Sequence, residues 1–212
     1  MDEIDIFKIL VQAEEKKKRA QPLVNSFEVK EILPCFTTPG YIRFVAQADH
    51  ELGEVIPIIF LRYPPGKTTY TGKENTLTLR LFNRMITLFP SGKIGVTNTK
   101  DVNEAHEVLQ KIKEIINEAY SEYLKFGKPN PEDIEAARKI SWIDLYNCLP
   151  QTNCGECGYQ TCSALALSVL QGEAKLSQCT PMREPKYLMN LEKLRKNLGP
   201  FLLRALGWKE VP

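Results

Sequence analysis

The chain has few histidines, few cysteines and no long apolar run. Of its 212 residues two are histidine, His50 and His106, and six are cysteine. A membrane-spanning helix needs roughly 20 consecutive apolar residues, and no stretch approaches that. The N-terminus MDEIDIFKILVQAEEKKKRAQ opens with two acids and reaches its basic cluster only after the apolar positions, the reverse of a secretory signal. A cytoplasmic protein without a membrane span is therefore expected. An excess of either charge is also missing. The formal net charge of +2 argues against a strongly basic nucleic-acid binder. Hydrophobic residues at 43% and charged residues at 25% are the balance of an ordinary globular protein, long enough to bury a core without disulfides.

Residues 1–22 read as a short amphipathic helix, with Ile4, Ile6, Phe7, Ile9, Leu10 and Val11 ahead of the charged run EEKKKR. After Pro22 the pattern becomes strand-like in FEVKEILPCF and YIRFVAQAD, separated by the turn signal TTPG. LGEVIPIIFLRYP is apolar on too many sides for a surface helix, and a buried helix is predicted there. TLTLRLF, RMITLFP and KIGVTNT then read as three short strands in a hairpin meander. In DVNEAHEVLQKIKEIINEAYSEYLKF the apolar residues recur at spacings of three and four, predicting a helix from near Asp101 to just before Gly127. KPNPED marks a boundary, and PEDIEAARKISWIDLY predicts one further helix. The expected division is an N-terminal helix over 1–22, an α+β domain over 23–128 and a small, mainly helical domain over 129–212. The fold class is α+β, an antiparallel sheet with helices on one face followed by that helical part.

Four of the cysteines, Cys154, Cys157, Cys162 and Cys179, fall within one short segment of the C-terminal part. In a reducing compartment such clustering serves metal binding or thiol chemistry more often than disulfides. Cysteines three apart in a tight loop suit one metal or adjacent corners of a cluster. Gly155 and Gly158 each follow a cysteine, where glycine allows a positive φ and lets amides approach the sulfurs. Thr161 and Ser163 bracket the third cysteine and offer hydroxyl hydrogen bonds. CSALALSVLQG predicts a mostly buried helix ending at Gly172, and Pro181 lies just beyond the last cysteine, as in cluster-binding loops. Structural zinc sites commonly pair two knuckles, but this segment has one CxxC and no histidine. A thioredoxin-like pair leaves the third and fourth cysteines unexplained. By spacing alone a [4Fe–4S] cluster leads, with zinc and thiol chemistry still open. Cys35 and Cys148 read as buried small side chains. PPGKTT has Leu61 where a phosphate loop needs its first glycine, so that motif fails.

The run LPQTNCGECGYQTCSALALSVLQGEAKLSQCTPM, residues 149–182, resembles the four-cysteine iron–sulfur domain of the large subunit of the corrinoid iron–sulfur protein of acetyl-CoA synthesis and of a subunit of the Rnf electron-transport complex. Leu149, Pro150, Asn153, both Cys-Gly pairs and the Cys-x-Pro all fit. The resemblance implies that Cys154, Cys157, Cys162 and Cys179 bind one [4Fe–4S] cluster. Only about 30 residues follow the motif, too few for a cobamide-holding barrel, so corrinoid binding by this chain is not carried over. Residues 78–116 resemble half of the saddle of the TATA-box-binding protein family. The intercalating phenylalanines have no counterpart pattern, so DNA binding is not carried over either.

These readings make the chain a one-electron carrier or reductive-activation accessory to an anaerobic metalloenzyme or corrinoid system, with a protein redox partner. No constellation for substrate chemistry is visible, so no small-molecule substrate is identified and no enzyme activity is expected of the chain alone. The alternatives are a redox-sensing regulator binding nucleic acid through the saddle-like part, for which Arg80, Arg84 and Lys93 are few, and a purely structural cluster. Eight Lys or Arg follow Cys162 against four Glu, read chiefly as a solvated helix face. The apolar tail FLLRALGW after Pro200 is left to dock on the body or on a partner.

Overall fold

The computed structural model describes residues 21–208, so the helix expected over 1–22 lies, but for its last two positions, outside the described residues. Alternating burial along the strands determines the architecture. β1 (Phe27–Pro34), β2 (Ile42–Ala48), β3 (Thr68–Thr71), β4 (Thr76–Leu81), β5 (Arg84–Leu88) and β6 (Lys93–Thr99) form one sheet in the order β1-β2-β6-β5-β4-β3, every neighbour antiparallel. The register aligns two apolar rows across the sheet. Ala46, Ile94, Leu88 and Leu77 form one, and Phe44, Val96, Ile86 and Leu79 the other. All eight are buried, whereas their neighbours along each strand point to the other face and stay at least partly exposed.

The buried rows face the helices. After β2 the chain crosses the sheet through α1 (Ile56–Leu61), where five of six residues are buried, and resumes at the far edge with β3. The meander then returns until β6 pairs with β2. α2 (Val102–Phe126) follows, starting at the Asp101 cap, whose side chain accepts from the Glu104 amide at 2.9 Å, and ending at Gly127 with φ 76°. It buries Ala105, Val108, Leu109, Ile112, Ile116 and Ala119. The α+β class, the meander and this helix are as the sequence predicts. β3 went unread: TTYT is a four-residue edge strand, too short for alternation to show.

One expected helix is two. α3 (Pro131–Lys139) ends where Ile140 takes an extended ψ of 131°, and α4 (Trp142–Tyr146) starts afresh at a Ser141/Asp144 capping box. The Ser141 hydroxyl and amide both bond the Asp144 carboxylate and hold its pKa below the ordinary value. α5 (Cys162–Gln171) stops at left-handed Gly172 as predicted. α6 (Leu188–Ala205) breaks at Gly199-Pro200, where Gly199 has φ 64° and ψ 169°. Beyond the break Leu202, Leu203, Leu206 and Trp208 are buried, so the tail docks on the body. The Leu176 amide donates to the Leu206 carbonyl at 2.8 Å.

The buried side chains of the sheet part and of the cysteine-bearing part belong to one continuous cluster. PPGK, unfit as a phosphate loop, is one joint between them: a Cβ on Gly66 would stand 2.7 Å from the Gln171 Cα and 2.8 Å from the Leu170 carbonyl oxygen at the end of α5. Those obstacles are backbone and cannot swing aside. Gly66→Ala is expected to lower stability by about 1–3 kcal/mol in thermal denaturation. Gly95→Ala, where a Cβ meets open space in β6, is expected to be neutral or stabilising by up to about 1 kcal/mol.

Candidate functional site

The loop between α4 and α5 is wound by residues in the left-handed region. Gln151, Asn153, Gly155 and Gly158 have φ of 58°, 50°, 76° and 85°. Asparagine and glycine tolerate this conformation better than other residues, which accounts for Asn153 and both glycines of the motif. Nothing lies within 4 Å of where a Cβ on Gly155 or Gly158 would stand. The glycines are therefore required by the backbone conformation, not by close approach of other protein atoms. The Gly158 amide donates to the Gly155 carbonyl at 2.9 Å, closing the turn around Cys157.

Two side chains tie this loop to its surroundings. Asn153 Oδ1 accepts from the Cys162 amide at 2.9 Å, linking the loop to the first residue of α5. Glu156 accepts a hydrogen bond from the Thr180 hydroxyl, linking it to the arm that carries Cys179. The Glu156–Thr180 pair was not foreseen, because the partners are 24 positions apart and no local pattern joins them. The Thr161 hydroxyl, expected near the sulfurs, instead caps α5, accepting from the Ala164 amide at 3.2 Å and bonding the Ser163 hydroxyl at 3.0 Å.

The four cysteines are graded in exposure. Cys154 is exposed, Cys157 half-buried, and Cys162 and Cys179 are buried. Cys162 is the first residue of α5. Burial first, and then the nearby Cys162, Cys157 and Cys154, raise the Cys179 thiol to about 11 against the opposing hydrogen bond from the Met182 amide. Cys154, Cys157 and Cys162 thus lie near enough to Cys179 for their charges to bear on it. Four cysteines within one segment are a donor chemistry that suits an iron–sulfur group. Among the described residues no three His, Cys, Asp or Glu side chains are arranged to hold a single metal ion.

The two remaining cysteines differ. Cys148 is buried as expected, its thiol donating to the Asp144 carbonyl at 3.3 Å, and burial raises its pKa. Cys35 is not buried. It lies half-exposed at the start of the β1–β2 loop, where the chain turns outward after Pro34. The Thr37 hydroxyl, 3.5 Å from the sulfur, and the Thr37 amide bring its pKa down to about 6, with smaller help from the Asn98 and Thr38 amides. Asn98 is distant in sequence, and no local pattern announced this environment.

Comparison with known proteins places the cysteine segment first in a class. Residues 149–181 match a family described as "Putative Fe-S cluster". Individual relatives then narrow it. A subunit gamma of the acetyl-CoA decarbonylase/synthase complex from Methanocaldococcus jannaschii is 41% identical over 63 residues, 30% of this chain and 13% of that protein. Subunit gamma 1 of that complex from Methanosarcina thermophila is 44% identical over 59 residues, 27% of this chain and 13% of the relative. A subunit gamma from Methanopyrus kandleri is 39% identical over 62 residues, 29% of this chain and again 13% of the relative. The alignments span about an eighth of the length of these relatives. No solved structure matches the chain. The matches support an iron–sulfur cofactor in the cysteine segment. No described helix is long and apolar enough to cross a membrane.

Cys35 is expected to alkylate readily at neutral pH while Cys148 stays unlabelled. Its rate with iodoacetamide, followed by peptide mass spectrometry, is expected to rise as pH passes through about 6 and to level off above it, because the thiolate is the nucleophile. An ordinary thiol would keep gaining rate toward pH 9.

Proposed function

We propose that Cys154, Cys157, Cys162 and Cys179 hold one [4Fe–4S] cluster, and that the chain passes single electrons to an anaerobic metalloenzyme or corrinoid system or reductively activates it. The observation that carries this reading is that all four cysteines fall within residues 149–181, the segment that matches a family described as "Putative Fe-S cluster". Two buried thiols hold one side of a cluster in the core, and exposed Cys154 leaves the other side near solvent. That asymmetry suits electron exchange, since an added electron is penalised less near water and the tunnelling edge is accessible to a partner. Six free thiols suit a reducing cytoplasm.

The relatives are named as subunits of a multi-subunit complex, which supports a protein partner here. In this reading residues 129–212 form the cluster-bearing part, and the α+β part over 23–128 recognises the partner. A structural cluster is the second reading, favoured by the burial of Cys162 and Cys179 in the continuous core.

The deciding experiment uses protein purified without oxygen. About four iron and four sulfide per chain are expected, as one such cluster requires, with a paramagnetic signal that appears on dithionite reduction and disappears on reoxidation. Zinc without sulfide would overturn the cluster, and a cluster that cannot be cycled would leave the structural reading. Serine at any one of the four positions is expected to lower bound iron sharply, whereas Cys148→Ala retains the full complement.

A further inference from the structure

A groove of about 680 Å³ opens at the end of the sheet where β4 meets β5. Lys67, Arg80 and Arg84 line it, and no Asp or Glu does. Lys67 and Arg80 have no carboxylate partner among the described residues. Arg84 is held in place: its side chain is 8% exposed, its Nε donates to the Phe82 carbonyl and its Nη2 to Glu104, each at 3.0 Å. Its Nη1 is buried without a partner. Across the same wall Asn98 donates through Nδ2 to the Asn83 carbonyl at 2.8 Å, which leaves its buried Oδ1 unpaired. Both atoms belong to residues that line the groove, and a buried donor and a buried acceptor left without partners are each a cost.

The hairpin tip adds an aromatic element. Leu81 pairs with Arg84, so Phe82 and Asn83 form a two-residue turn, with φ of 54° and 59°. Such a turn prefers Asn or Gly at both positions. A phenylalanine at positive φ is an outlier for a bulky residue, and it is maintained here with its ring 44% exposed at the groove. Strain of this kind accumulates where function needs it. Lys111 stands 5.2 Å from the ring centroid and adds positive charge at the rim.

The geometry points to a binding site for a small organic phosphate that carries an aromatic ring, a ligand of nucleotide type. Its phosphates lie against Lys67, Arg80 and Arg84, and its ring against Phe82. Lysine and arginine supply charge-assisted hydrogen bonds to phosphate oxygens, and the volume is in the range of small-molecule sites. Lys67 packs beside Gly172 at the end of α5, but the proposal does not rest on the reading drawn from the cysteines.

The test is calorimetric titration of the full chain with ADP and, separately, with pyrophosphate. Saturable ADP binding is expected, weakened about tenfold or more by Arg80→Glu, the loss of a charge-assisted phosphate contact. Phe82→Ala is expected to weaken ADP several-fold without changing pyrophosphate, and Phe82→Tyr to retain ADP binding. Arg80 and Phe82 are exposed, and circular dichroism checks that each variant folds. Lys93→Glu, on the same sheet outside the groove, is expected to leave binding unchanged. Absence of ADP binding at millimolar concentration, equal losses from Arg80→Glu and Lys93→Glu, or pyrophosphate binding as tight as ADP would each overturn the proposal. Tighter binding of a single-stranded oligonucleotide at these residues would also overturn it in favour of a nucleic-acid surface.

Discussion

Burial of Cys162 and Cys179 in the core shared with the sheet is the constraint around which the cysteine-bearing part is organised. Burial disfavours a charged sulfur there and is the main reason the Cys179 thiol is raised to about 11, with Cys162, Cys157 and Cys154 adding to the rise and the Met182 amide opposing it. The chain also fixes the segment that carries all four cysteines. It does so with a loop wound through left-handed residues, one sulfur on a helix N-terminus, and two side-chain ties at Asn153 and Glu156. Burial of Cys162 and Cys179 anchors the arrangement in the core, while Cys154 remains toward solvent. A group that neutralises the thiolates would thereby also stabilise the surrounding fold.

The sheet supplies the platform. Because α1 carries the chain under the sheet to the far edge, the meander closes back onto β2, and the two apolar rows run across the strands without interruption. The helices cover those rows, and the cysteine-bearing helix α5 meets the platform at Gly66, where only a residue without a side chain fits. The last residues of the chain return to the same core through Leu202, Leu203, Leu206 and Trp208. This explains how a segment rich in turns is held in one arrangement. Its ends are fixed by helices that share their buried surface with the sheet.

Much of this was legible in the sequence because the signals were local. Periodicity located α2 to its caps, turn residues delimited the meander, Gly172 ended α5, and Gly199-Pro200 broke α6. Local signals also misled where two of them competed. The run from Pro131 to Tyr146 keeps helical composition throughout, but the Ser141/Asp144 box outweighs continuation at Ile140. β3 is too short to carry alternation. Cys35 reads as a small core residue by type, yet its exposure follows from the course of the β1–β2 loop and its low pKa chiefly from Thr37 in that loop, with smaller help from the Thr38 amide and from the Asn98 amide on β6.

By itself the sequence determined the α+β class, the span of α2 and the grouping of Cys154, Cys157, Cys162 and Cys179, because each rests on spacing along the chain. Tertiary structure alone decided which thiols are buried, which loop is tied to which arm, that the failed phosphate-loop motif is a packing joint, and that Lys67, Arg80 and Arg84 meet in one groove. Those features depend on residues far apart in sequence, whose approach is set by strand register and by a shared core.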